Sequence, residues 1–157
     1  MNIPEILHQT LFGGIAAMGF GVLFNMRERH LLWCGISGGL ALAVRTVGLQ
    51  LGWSLEAASF AAALAVGGTV QMFQKRIGVS RNILDVAGCN PMVPGGFAAK
   101  AILGLFALTA PNPVNADETL ITSVEYFLRA AFTVGAIGTG LAIPSLMLRV
   151  LENRQAK

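Results

Sequence analysis

Three cations and one acid stand inside stretches otherwise apolar enough to cross a bilayer: Arg45, Lys100, Arg129 and Glu125. A charge at the centre of a spanning helix costs about 2.5–3.5 kcal/mol on insertion scales. Each therefore needs a partner, a wet cavity or a route by which a long side chain snorkels to the headgroups. Glu125 precedes Arg129 by one helical turn, the spacing of an ion pair on one face. Asp85 lies close to one end of its segment. The other chemistry-bearing run is Asn90-Pro91-Met92-Val93-Pro94-Gly95-Gly96, set in apolar sequence. Pro91 and Pro94 each remove a backbone donor, and Gly95-Gly96 admits non-helical dihedrals. A regular helix is expected to break there. Main chain freed at that depth must be buried in protein or line a wet hollow. A second half-helix, from about Phe97, aims its amide ends at the break and makes an anion site, with Lys100 one turn into it. The pattern points to recognition of an anionic or carboxylate-bearing solute by Asn90, Pro91, Pro94, Gly95, Gly96, Lys100, Arg45, Arg129 and Glu125. The bland alternatives are a kink or re-entrant hairpin at the break, and a structural Glu125–Arg129 pair beyond the membrane. The uncharged run from Ala130 to Leu148 is long enough to span by itself.

Bond-making chemistry has no such support. The sequence carries no P-loop, HExxH or GxSxG, and no cluster of nucleophile and base. No enzyme activity, cofactor or metal site is expected. Cys34 and Cys89 lack CxxC spacing and read as small buried apolar residues. His8 and His30 lack ligand companions one turn away, and His30 beside Arg27-Glu28-Arg29 reads as solvated.

The elements that must hold these residues follow from composition. Of 157 residues 54% are apolar and 12% charged, about half the usual ~25% charged fraction, and the mean hydropathy is +0.65. That excludes a disordered chain and a soluble monomer. The net charge of +3 is too thin for a nucleic-acid surface. At about 20 residues per crossing, the chain offers spans at about Ile6 to Met26, Leu31 to Trp53, Leu55 to Gln74, an interrupted Asn82 to Ala110, and Thr119 to Arg149. The expectation is an all-α, polytopic membrane protein of about five helices, the fourth broken at PxxPG, forming one integral membrane domain over residues 1–157. The N-terminus lacks the basic flank of a signal peptide, so Leu7 to Phe24 reads as a retained helix. Basic residues follow the first span (Arg27, Arg29), the third (Lys75, Arg76, Arg81) and the fifth (Arg149, Arg154, Lys157). Positive-inside logic then places the N-terminus outside and the C-terminus in the cytoplasm, with Trp33 at the inner interface and Trp53 and Tyr126 at the outer one. A four-span topology puts the last three basic residues outside. Small-xxx-small pairs (Ala17/Gly21, Gly35/Gly39, Ala57/Ala61/Ala65, Ala63/Gly67, Ala131/Gly135, Ala136/Gly140) let helices approach closely. Five short helices enclose little pathway alone, so a partner subunit or further copies of the chain are implied.

In order along the chain, Phe24-Asn25, Trp33-Cys34, Arg45, Asn90-Pro91-Met92-Val93-Pro94-Gly95 and Gly140-Leu141-Ala142-Ile143-Pro144 resemble the threonine/serine exporter family, in its small-subunit, YjjB-like type. The resemblance covers nearly the whole chain, and PxxPG is its most specific element. It implies half of a ten-helix exporter, paired with a larger membrane subunit bearing a cytoplasmic N-terminal domain, in the bacterial inner membrane. It carries over no assigned site residues. The function it implies is export of small carboxylate-bearing metabolites driven by an ion gradient, with succinate as the leading solute and threonine or serine as the alternative. A scaffold subunit that does not transport, and a homo-oligomeric channel, are the rival readings.

Overall fold

The computed structural model describes residues 2–77, 81–110 and 115–155, with side chains left out for 74–77, 81–83 and 148–155. Among the described residues the chain is all-helical: α1 (Ile3–Leu23), α2 (Glu28–Gln50), α3 (Leu55–Ile77), α4 (Arg81–Cys89), a 3-10 turn (Asn90–Met92), α5 (Gly95–Ala107) and α6 (Ala116–Gln155). Four stretches are long and apolar enough to cross a membrane, Ile3–Leu23, Glu28–Gln50, Leu55–Phe73 and Ala116–Met147, and Gly95–Ala107 is a shorter apolar helix. The expected polytopic membrane protein is what the sequence folds into. The interrupted fourth segment is drawn as α4 and α5 on either side of the break. At 1.5 Å per residue these helices are about 14 and 20 Å long, so neither alone crosses a ~30 Å core. By compactness the chain divides into two units, Met1–Met92 with Ala136–Lys157, and Val93–Gly135, and α6 contributes to both.

In the first unit, local chemistry sets the helix ends. Asn25 takes a left-handed conformation (φ 55°), and the amides of Asn25 and Met26 bond back to Val22 O (2.9 Å) and Gly21 O (3.0 Å). Gly52 does the same after α2 (φ 84°), with Gly52 and Trp53 amides on Leu49 O and Gly48 O, both at 3.0 Å. Both are Schellman endings, which need a residue that tolerates positive φ. Ser54 then caps α3, its Oγ accepting from the Ala57 amide at 3.2 Å.

The helices of this unit meet backbone to backbone. A Cβ on Gly38 would overlap Ala17 Cβ and come within 2.6 Å of Gly13 O, and one on Gly14 would lie 3.0 Å from Gly35 O. Gly88 lets α4 onto α2, for a Cβ there would come within 2.7 Å of Ser37 Cβ. A Cβ on Gly140 of α6 would lie 2.8 Å from both Phe60 O and Ala63 Cβ of α3, and one on Gly67 would lie 3.3 Å from the Pro144 ring. Pairs such as Ala63/Gly67 thus form real seams. Ala57/Ala61/Ala65 instead floor an outward-facing apolar groove with Trp53, Phe60 and Leu64. Cys34, Val66, Leu84 and Met92 are fully buried or nearly so. Both cysteines are free and buried. His30, expected in solvent, is buried and accepts a hydrogen bond from Arg29 Nε at 3.0 Å.

Gly38→Ala is expected to lower thermal stability in detergent, because overpacking costs about 1–3 kcal/mol and exceeds the ~1 kcal/mol that alanine gains in a helix. Gly68→Ala, where a Cβ meets nothing within 4 Å, should be neutral or stabilising in the same melt.

Candidate functional site

The break sits where α4 gives way to the Asn90–Met92 turn. Pro91 has no amide to continue the helical ladder, so the carbonyls that close the segment need other donors. One donor comes from 47 residues earlier: Arg45 Nη1 of α2 bonds to Met92 O at 2.9 Å. The Met92 side chain is itself fully buried, so this carbonyl is capped within protein. Among the described residues the guanidinium makes this one hydrogen bond, and its fork has further N–H donors.

Arg45 also lines a hollow of about 450 Å³ with Glu5 and Gln9 of α1, Thr46 and Gln50 of α2, and Pro91, with Leu42 and Leu49 as its apolar wall. Gln50 clasps the start of α1 at its rim. It accepts from the Asn2 amide (2.8 Å) and donates to Asn2 O (3.3 Å) and Glu5 Oε2 (3.2 Å). Arg45 and Pro91 were anticipated from the sequence. Glu5, Gln9, Thr46 and Gln50 were not, although Glu5 and Gln9 share a helix face and Thr46 and Gln50 stand next to and one turn beyond Arg45.

The second unit holds the other candidates. Pro94 precedes α5, and its carbonyl accepts from the Phe97 and Ala98 amides (3.1 and 3.2 Å). Helix α5 therefore starts at Gly95, not near Phe97, and Lys100 is its sixth residue. Neither Gly95 nor Gly96 has a positive φ. They open the helix in ordinary geometry, and the prolines, not the glycines, make the break. Lys100 Nζ lies 5.4 Å from the centroid of the Tyr126 ring, a cation–π contact, and Phe97 packs on that ring (5.7 Å). Lys100 and Tyr126 line a separate, open hollow of about 510 Å³ with Glu118, Thr122 and Ser123. Glu125 and Arg129 line neither hollow. They pair with each other at 3.0 Å, with side chains 57% and 48% exposed. Asn90 opens the 3-10 turn, half-buried. Among the described residues no group of His, Cys, Asp and Glu is arranged to hold a metal.

A helical membrane bundle with a broken segment, an arginine at the break and a polar hollow around it has the build of a membrane transporter. The profile of the family described as "Threonine/Serine exporter, ThrE" matches residues 9–147, and the chain belongs to that family, whose members are transporters rather than enzymes. No solved structure matches the chain.

Arg45→Leu strands the buried Met92 carbonyl and is expected to destabilise the protein by about 1.5–3 kcal/mol. Arg129→Gln, which opens only a half-exposed pair, should cost under ~1 kcal/mol. Unfolding titrations in micelles measure both.

Proposed function

We propose that the chain exports a small metabolite whose carboxylate is met by Arg45 in the hollow beside the break. The observation that carries this is the shared lining: Arg45, whose guanidinium has donors to spare, and Glu5 line one hollow of about 450 Å³. A planar fork suits a carboxylate. Glu5 suits an ammonium and disfavours a second carboxylate, since like charges repel at close range. The lining therefore favours an α-amino acid of the threonine or serine type over succinate, the solute that led on sequence grounds. Thr46, Gln9 and Gln50 supply partners for the hydroxyl of such a solute.

The charge distribution supports the rest of the reading. Basic residues at the α1–α2 and α3–α4 ends support an N-terminus outside and a cytoplasmic C-terminus in a bacterial inner membrane. The Glu5–Gln50 rim then faces outward, where an exporter releases its solute. The described helices enclose only part of a pathway, so we place the chain beside a larger subunit of the same family, with a further copy of itself as the other arrangement. The drive is an ion gradient.

Export from loaded vesicles tests the reading. Arg45→Lys and Arg45→Gln, checked for folding, should reduce apparent affinity, the glutamine variant by roughly ten- to a hundredfold. Glu5→Gln should lose threonine export and gain tolerance of succinate. Lys100→Gln should leave apparent affinity near wild type, because its ammonium rests over Tyr126 in another hollow. Wild-type export by folded Arg45→Gln would remove this cation from the solute site.

A further inference from the structure

At the far end of α2 from Arg45 the same unit holds a second, different cavity. It has a volume of about 260 Å³ and lies among α2, α3 and α4, lined by Trp33, Ser37, Leu40, Val66, Phe73 and Leu84. Its floor is dry: Val66 and Leu84 are fully buried, and the hydroxyl of the neighbouring Thr69 is taken by Ala65 O at 2.7 Å. One side is open, for Ile36 is 49% and Phe73 36% exposed. Trp33 and Phe73 stack at 6.1 Å at its outer end. From Trp33 to Leu40 the cleft runs seven residues along α2, about 10 Å. This is the shape and depth of a slot for part of a hydrocarbon chain, not for a polar solute.

The end of the bundle above this slot is basic. Arg27 precedes α2 and Arg29 lies in its first turn, both exposed. Lys75 and Arg76 stand in the last turn of α3, and Arg81 opens α4. Of the side chains described at this end, those of Arg27, Arg29 and Glu28 are exposed and that of Asp85 is buried. The Nε of Arg29 is engaged by His30, which orients the guanidinium and leaves its Nη donors for an anion.

We propose that this cleft is a binding site for an anionic phospholipid, with one acyl chain between α2 and α3 and the phosphate among the basic residues at the mouth. Charge complementarity selects the headgroup. A phosphatidylglycerol phosphate meets the arginines without a counter-charge of its own, whereas phosphatidylcholine brings an ammonium that the cluster repels. The slot secures the chain and the cations choose the lipid, so the site discriminates where an ordinary lipid-facing surface does not.

Fluorescence quenching by lipids brominated on the acyl chain tests this in the full chain reconstituted in vesicles. Trp53→Phe leaves Trp33 as the single tryptophan probe. Brominated phosphatidylglycerol is expected to quench Trp33 at a mole fraction about fivefold below that of brominated phosphatidylcholine, and neutralising Arg27 and Arg29 together should remove that preference. The R27Q/R29Q protein should therefore quench nearly alike with both lipids. Thr69→Leu, which fills the slot, should weaken quenching by phosphatidylglycerol. Equal quenching by the two lipids in the Trp53→Phe protein overturns the proposal. So does a preference unchanged by R27Q/R29Q, or quenching unchanged by Thr69→Leu.

Discussion

A main-chain carbonyl in hydrocarbon has no water to turn to, and an unmet one costs several kcal/mol. Between the turn that ends at Met92 and the start of α5 at Gly95 the helical ladder is interrupted, and the Arg45 guanidinium at 2.9 Å meets the Met92 carbonyl there. The arrangement solves two problems at once. An arginine placed deep in a spanning helix is itself expensive, and a freed carbonyl is among the partners that make it tolerable. Since a guanidinium has more donors than one carbonyl uses, the cation that closes the backbone also lines the hollow. Structural duty and solute recognition then fall on the same side chain. For that reason a transport defect at Arg45 has meaning only beside a measurement of folding.

Bringing Arg45 to Met92 requires α2 to lie against α4 at short range, and lipid gives helices no hydrophobic reason to associate. Removing side chains provides the reason instead. Gly38, Gly14 and Gly88 let main chains come within ordinary contact distance, where many weak dispersion contacts add up. The Schellman endings at Asn25 and Gly52 fold the chain back sharply enough for α1, α2 and α3 to pack as neighbours. The position of the arginine therefore depends on glycines that touch neither solute nor break.

Much of this was readable in advance because it rests on local chemistry. Hydropathy over about 20 residues marks the long helices, and Pro91 and Pro94 mark the break whatever surrounds them. The i,i+4 spacing of Glu125 and Arg129 fixes their pairing. What could not be read was non-local. Nothing in the neighbourhood of Arg45 announces Met92 as its partner, and nothing near Glu5 announces Arg45, because both meetings are made by helix packing. The partner of Lys100 was hidden for the same reason: its place after Gly96 does not announce Tyr126, 26 positions along the sequence, over whose ring its ammonium lies. The double glycine was misread as a source of unusual dihedrals when two prolines already suffice.

Within the first unit, α2 joins two environments of opposite character. Near its end at Gln50 the lining is polar and mixed in charge; near its start at Arg29 it is a dry slot beneath basic residues. Arg45 and Trp33 are 12 residues apart, about 18 Å along the helix axis, so a solute at one and a lipid at the other do not compete for space. They are nonetheless held by the same helix. A shift of α2 that loosened the Arg45–Met92 contact would also move Trp33 against Phe73. An anionic lipid seated in the slot would then couple to the hollow only as far as its affinity differs between the two positions of α2. A lipid that bound both positions equally would leave transport unchanged, however tightly it was held.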